Sequence, residues 1–232
     1  MTNGIKVKKR NGTIEPIALE KMHKMVEAAT DGLAGVSASQ VEIQSGIQFY
    51  DGITTQEIQE ILIRAASDLI DLDHPNYQFV AARLLLFSTR KSLYGRMKEL
   101  PHLVDHINSC VAAKVYDYGI YDAYSLEEIQ QADRWIDHER DFMFTYAGLR
   151  QVVDKYLVQD RSTGQVFETP QFMYMMIALT MFAKYPKDTR MEYVRRYYNA
   201  ISKHRINIPT PIMAGVRTPL RQFASCVLVD VD

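Results

Sequence analysis

A chain of 232 residues, 47% hydrophobic and 24% charged, has the composition of an ordinary globular protein with room for one or two cores. Its formal net charge of -1 excludes the basic excess of a dedicated polynucleotide binder but allows a local basic pocket. Two cysteines, Cys110 and Cys226, are too few and too far apart for a zinc ribbon or a secreted disulfide framework, which points to a reducing cytoplasm. The N-terminus lacks the apolar core of a signal peptide, and no apolar run reaches the ~20 residues of a membrane span.

The predicted elements begin with a β-hairpin. Ile5, Val7, Ile14 and Ile17 flank Asn11-Gly12, a pair that favours the positive φ angles of a tight turn. Leu19, Met22, Met25, Val26 and Ala29 then recur at helical spacing, with Gly32 and Gly35 as stop signals. A second helix is predicted after Ser37, carrying Val41, Ile43 and Ile47. Thr54 stands three residues before Glu57, the spacing of a capping box. Ile58, Ile61, Leu62, Ala65 and Leu69 form the stripe of a third helix, ended by Asp73-His74-Pro75. A fourth spans about 76–98 with Phe79, Ala82, Leu85 and Leu86 inward, so a hairpin and four helices fill residues 1–95. Over 96–205 helices are predicted after Pro101, after Ser125, over 146–156, after Pro170 and after Asp188, with a short hairpin around Arg161-Ser162-Thr163-Gly164. From Ile206 the prolines at 209, 211 and 219 and the β-branched Val227, Val229 and Val231 predict extended strands joined by loops over 206–232.

Two clusters carry chemistry. Lys8, Lys9 and Arg10, then Glu15 and Lys21, surround a turn that leads into a helix N-terminus; Thr55 opens the third helix and Lys91 lies on the fourth. Cations and free helix N–H groups are what neutralise a triphosphate, although basic residues in a hairpin are as often only solvated, and spacing alone leaves both readings open. In the last region Thr210 is held between Pro209 and Pro211, which restrict the backbone on both sides. Ser225 and Cys226 open an apolar run. A lone cysteine is commonly a small buried residue, and one thiol by itself cannot deliver two electrons.

The order Val-x-Lys-Arg-x-Gly-x-x-Glu, Lys21 six residues beyond Glu15, Phe49-Tyr50-Asp51-Gly52-Ile53, and Tyr77-Gln78 with Ala81-Ala82-Arg83-Leu84 resemble the ATP-cone domain of ribonucleotide reductases. The run from Pro209-Thr210-Pro211-Ile212-Met213 through Gly215-Val216-Arg217-Thr218-Pro219 to Gln222-Phe223 and Ser225-Cys226 resembles the first barrel segment of the large subunit of class I reductases. Ile136-Asp137-His138-Glu139-Arg140-Asp141, Phe144-Thr145-Tyr146 and Lys155-Tyr156-Leu157-Val158 resemble the helical domain between them. The resemblance implies a mainly α chain: an ATP-cone (β-hairpin plus four-helix bundle) over 1–95, a helical N-terminal domain over 96–205, and the first strands of an incomplete ten-stranded α/β barrel over 206–232.

It implies that Val7, Lys9, Arg10, Glu15, Lys21, Thr55, Gln59 and Lys91 contact allosteric ATP or dATP, with magnesium. Thr210 and Ser225 would contact the substrate, and Cys226 would be one redox thiol of a ribonucleoside-diphosphate reductase. The expected partners are a complementary C-terminal part of the large subunit, a second copy in a large-subunit dimer, a small subunit whose metal centre generates the radical, and thioredoxin or glutaredoxin as reductant. No nucleic acid, no membrane and no cofactor for chemistry held by this chain are expected. The chain then stands as one half of a split subunit or as a shortened one, inactive alone, with residues after about 206 ordered only beside the complementary part. Ala18 and Gln59 replace the Asn and His of many cones, so nucleotide binding is expected to survive and dATP inhibition to be weakened or re-tuned. Cys110 has no motif around it and is assigned a structural role. His138 stands among charges without a set of ligands sharing one geometry, so it is assigned to hydrogen bonding rather than metal. The alternative from a different class is a nucleotide-sensing regulator that uses the cone without catalysis, against which the absence of any Cys-x-x-Cys and the near-neutral charge count. A third is a purely structural allosteric subunit.

Overall fold

The computed structural model describes residues 5–46, 48–220, 222–226, 228 and 229. By their contacts these fall into two compact units. One comprises residues 1–92 with 142–150, and the other 93–141 with 151–232.

The first unit opens on β1 (Lys6–Lys8) and β2 (Ile14–Pro16), antiparallel with Val7 opposite Glu15. Only Gly12 in the turn has positive φ, at 85°, so Asn11 and Gly12 do not form the two-residue turn expected of the pair. Instead Gly12 N–H donates to Lys9 O at 2.9 Å, Lys9 N–H to Thr13 O at 2.8 Å, and Asn11 Oδ1 accepts from the Thr13 backbone and hydroxyl. This longer loop lifts Lys9, Arg10 and Asn11 clear of the strands. β1 also borders the 51–54 segment. Lys8 N–H donates to Ile53 O at 2.9 Å, Gly52 N–H to Lys6 O at 2.8 Å, and Lys6 N–H to Asp51 Oδ1 at 2.8 Å.

Four helices follow: α1 (Leu19–Thr30), α2 (Ala38–Gly46), α3 (Thr55–Asp68) and α4 (Tyr77–Tyr94). Met25, Val26 and Ala29 of α1, Ile58, Leu62, Ala65 and Ala66 of α3 and Val80, Ala81 and Leu84 of α4 are buried with Val7 and Ile53. The α3 capping box is formed as its spacing predicts: Glu57 N–H donates to Thr54 Oγ1 at 3.1 Å and Thr54 N–H to Glu57 Oε2 at 2.8 Å. The Thr54 backbone and hydroxyl, and then the Tyr50 hydroxyl, hold the Glu57 carboxyl below the usual range. On α2 Val41 is buried, but Ile43 is 71% exposed and Ile47 lies outside the described residues. α3 ends at Asp68, before Asp73-His74-Pro75, and α4 ends at Tyr94 rather than near 98, because Gly95 turns to φ 70°.

The second unit contains α5 (Leu103–Ala112), α6 (Ile120–Ala123), α7 (Leu126–Asp133), a 3₁₀ helix (His138–Met143) as far as Asp141, α9 (Pro170–Phe182), α10 (Arg190–Ser202) and α11 (Thr210–Gly215). α8 (Tyr146–Gln151) leads into a π-helix (Val152–Tyr156). α9 is buried at every residue from Pro170 to Leu179, as a helix apolar all round must be. α10 packs along it. Glu128 completes the capping box of α7 with Ser125 and also grips Arg190 of α10 through two bonds of 2.8 and 2.6 Å. No described helix is long and apolar enough to cross a membrane.

Two expectations are corrected. The short hairpin around 161–164 forms, with Gln159 bridged to Val166, Asp160 N–H donating to Gln165 O and Phe167 N–H to Val158 O, each bond 2.8 Å long, but Tyr156 belongs to the π-helix and not to its first arm. From Ile206 onward no strand is found among the described residues. Pro209 and Pro211 start a helix rather than an extended segment, since proline suits a first helical turn as well as a strand edge. Val227 and Val231 lie outside the described residues.

Candidate functional site

The hairpin, the start of α1, the first turns of α3 and the last turns of α4 border an open cleft. Its walls are apolar where Val7, Ile17, Met22, Met25 and Ile58 face it, and cationic where Lys9, Lys21 and Lys91 do. Pro16, Ala18, Thr55 and Gln59 complete the lining. Of the residues singled out for a nucleotide, Val7, Lys9, Lys21, Thr55, Gln59 and Lys91 thus line one cavity, and the other two are tied to its lining. Glu15 pairs with Lys9 at 3.4 Å, and Arg10 donates to Gln59 Oε1 at 3.1 Å.

The electrostatics of the cleft follow from this crowding. Burial lowers the pKa of Lys91, and the charges of Arg10, Lys9 and Lys21 lower it further. Burial likewise lowers that of Arg10. Among the described residues Glu15, on Lys9, is the acid paired with this group, so the cluster is short of negative charge, and a multiply charged anion is a ligand that restores the balance. Flat apolar walls beside a cationic rim suit a base and its phosphates.

Gln59 is 5% exposed. Its Oε1 accepts from Arg10 and from Ser88 Oγ, each at 3.1 Å, and its Nε2 faces Met25 Sδ at 3.8 Å. Sequence reasoning missed Ser88 and Met25. Ser88 stands one helical turn before Lys91, so helical spacing from that lysine could have found it.

The second cluster is placed differently. Thr210 is half-buried at the start of α11, its Oγ1 3.4 Å from the Tyr156 hydroxyl. Ser225 and Cys226 are exposed in a segment without regular structure, and the described residues do not close a site around the three. What holds this region is Arg217, which sequence reasoning passed over. It is fully buried, pairs with the equally buried Glu168, and donates to Tyr156 O at 2.9 Å and Met213 O at 2.5 Å. Tyr116 donates to the same carboxylate and lies 3.0 Å from His106 Nε2. Cys110 sits beside this network, 3.7 Å from His106, and burial pushes its thiol up to about 12. His138 lies edge-on to Phe172 at 4.9 Å. Among the described residues no three His, Cys, Asp or Glu side chains group as a metal site.

Comparison with known proteins decides what this arrangement belongs to. Residues 5–92 match the ATP cone domain, and residues 142–221 match the family described as "Ribonucleotide reductase, all-alpha domain". The whole chain is 50% identical to the ribonucleoside-diphosphate reductase subunit alpha of Haemophilus influenzae, covering 31% of that protein. The chain is homologous to the N-terminal region of the ribonucleotide reductase alpha subunit. It is also 49% identical over 230 residues to ribonucleoside-diphosphate reductase 1 subunit alpha of Escherichia coli, and 44% identical over 228 residues to the alpha subunit of Enterobacteria phage T4. In both cases 30% of the relative is covered, so the chain spans about a third of the length of the curated relatives it matches. The cleft lies wholly within the ATP cone, and Thr210 and Arg217 lie within the all-alpha domain match.

Proposed function

We propose that this chain supplies the nucleotide-controlled regulatory site and part of the substrate side of a ribonucleoside-diphosphate reductase, divided into a cone over 1–95, a helical domain over 96–205 and the beginning of the catalytic barrel over 206–232. The observation that carries the regulatory half is the convergence of Lys9, Arg10, Lys21 and Lys91 on one apolar-walled cleft. ATP or dATP, with magnesium, would place its base against Val7, Ile17 and Ile58 and its phosphates among the cations. Thr55 would add a hydroxyl and the N-terminus of α3 free N–H groups.

For the catalytic half, the radical centre belongs to a separate small subunit, and a large-subunit dimer and a thioredoxin or glutaredoxin reductant complete the assembly. Thr210 and Ser225 would bind the ribonucleoside diphosphate. Cys226 and a second thiol from the remainder of the subunit would become a disulfide. The C2′–O bond of the ribose breaks, a C2′–H bond forms, and the hydroxyl leaves as water, so the two electrons released by S–S formation are those consumed.

Titration calorimetry of the chain with ATP and with dATP tests the regulatory half. Saturable binding that Lys21→Ala weakens is expected, and no binding at millimolar nucleotide overturns it. For the catalytic half, Cys226→Ser in the assembled reductase is expected to abolish turnover with dithiol protein reductants. Retained turnover would leave the chain an allosteric part only.

A further inference from the structure

Tyr156 ends the π-helix, and its hydroxyl lies 3.4 Å from Thr210 Oγ1. Both residues belong to the second unit. Their spacing is set by a single buried ion pair. Arg217 donates to Tyr156 O at 2.9 Å and to Met213 O at 2.5 Å, so it ties the end of the π-helix to α11, the helix that Thr210 opens. Its partner Glu168 accepts from the Val158 N–H at 2.6 Å, just past Tyr156 in the chain. Tyr116 donates to the same carboxylate. A buried network of satisfied charges holds one geometry, and this one carries both hydroxyls.

The π register brings a third group to the tyrosine. Leu157 N–H donates to Val152 O at 2.9 Å, a bond between residues five apart. Around an α-helix, residues five apart are separated by roughly 140°, but the wider π-turn brings them to one side. Gln151 Nε2 accordingly reaches the Tyr156 hydroxyl at 3.5 Å. The direction of the two bonds follows from the groups. An amide nitrogen can only donate, so the tyrosine oxygen accepts from Gln151. Its single proton is then left for Thr210 Oγ1, and Thr210 keeps its own proton for a ligand. Diphosphate oxygens are acceptors, which a hydroxyl serves as a donor. Both bonds are long, as bonds to a ligand-binding hydroxyl commonly are until the ligand draws on it.

We propose that Tyr156 is a positioning residue for the substrate, holding the Thr210 hydroxyl with its proton directed at the diphosphate. Gln151 sets the direction of the bond between the two hydroxyls, and Arg217 sets their place. The inference rests on the reading of Thr210 as a substrate contact. Tyr156 acts through Thr210 and takes no part in the bond changes at the ribose. Without the tyrosine proton, the threonine hydroxyl turns freely and presents its lone pairs to the diphosphate as readily as its proton.

A cycle of variants in the assembled reductase, with KM and kcat for a ribonucleoside diphosphate measured separately, tests this. Thr210→Ala is expected to raise KM by about tenfold or more, the equivalent of a hydrogen bond to a charged group. Tyr156→Phe keeps the ring and loses only the hydroxyl, so it should raise KM about fivefold, the equivalent of one neutral hydrogen bond, with kcat kept. In the Thr210→Ala background it should change nothing further, because no hydroxyl is left to direct. Gln151→Glu is the second variant, at an exposed position, and decides the matter if the phenylalanine variant does not fold. A carboxylate can only accept, so it takes the tyrosine proton and reverses the bond to Thr210. KM should then rise in the wild type and not in the Thr210→Ala background, where plain repulsion between the new charge and the diphosphate would persist. An unchanged KM in the tyrosine variant, or rises of equal size with and without Thr210, overturns the positioning role. An unchanged KM in Thr210→Ala removes the substrate contact itself, and the role of Tyr156 with it.

Discussion

Lys91→Met is expected to separate binding from stability. Met keeps most of the apolar stem and removes only the ammonium group, so packing at the end of α4 is preserved. If that ammonium contacts a phosphate, its loss removes a charge-assisted hydrogen bond worth about 1.5–3 kcal/mol, or roughly 10- to 150-fold in Kd. In the free protein the sign is opposite, because burial and the charges of Arg10, Lys9 and Lys21 all disfavour charged Lys91. Lys91 is partly exposed, and solvent screening limits the relief from neutralising it to at most ~0.5 kcal/mol, about 1–2 °C in Tm for a domain of this size. The folded-state pKa lies below the unfolded value of 10.5, so the unfolded chain binds the proton more readily. The variant's advantage is therefore fully present at neutral pH and disappears as pH rises through the lysine range. Calorimetry with ATP and melting curves of the free protein at neutral and alkaline pH read both effects. A variant that binds ATP as the wild type does, or that melts clearly lower at neutral pH, refutes the account of the cleft as a crowded cation site awaiting an anion.

Three further outcomes follow from the second unit. A water-soluble thiol reagent at pH 8 is expected to modify Cys226 in the native chain and Cys110 only on unfolding, since Cys226 is exposed whereas burial pushes Cys110 up to about 12; rapid reaction of both refutes the burial of Cys110. His106 is buried, which lowers its pKa from 6.5 to about 4, so stability present above pH 6.5 is lost as pH falls toward 4, by up to ~3 kcal/mol. His106→Gln should flatten that part of the acid profile in urea titrations, and an unchanged profile would assign the acid sensitivity elsewhere. Arg217→Met leaves Glu168 buried without its counter-charge and should cost about 3–5 kcal/mol. Adding Glu168→Gln to it should restore part of the loss, and an equal loss in single and double variants would show that the two are not coupled.

Local signals were strong where chain neighbours decide the structure. Thr54 with Glu57, and Ser125 with Glu128, form the two capping boxes that their spacing announces. The buried stripe of α3 follows the helical period of its apolar residues. The errors arose where one residue type serves two conformations. Prolines 209 and 211 were compatible with a strand or a helix start, and α11 took the second. Tyr156-Leu157-Val158 is β-prone in isolation, but Tyr156 lies in the π-helix, where Arg217 binds its carbonyl. The Arg217–Glu168 pair joins residues 49 positions apart, and no local pattern marks such a pair in advance. In the same way the basic hairpin showed a charge cluster, but not that Lys91 closes it or that Arg10 reaches Gln59.

The two clusters differ in how completely their walls are built, and that difference has consequences for assay. Every group lining the cleft comes from residues 7–91, with Lys9 and Arg10 raised by the Gly12 turn, Gln59 fixed by Arg10 and Ser88, and Lys91 presented by α4. Its affinity for a nucleotide should therefore be measurable in the chain by itself. Around Thr210 the support is equally firm on one side, where Arg217 ties Tyr156, Met213 and Glu168 together without solvent contact. Ser225 and Cys226, by contrast, stand exposed. Under the proposed function Cys226 would have to meet a second thiol and a ribose in one geometry, which needs walls on every side, so that role is expected to be measurable only in the assembled enzyme. Regulation and chemistry are in this sense separable experiments on one chain.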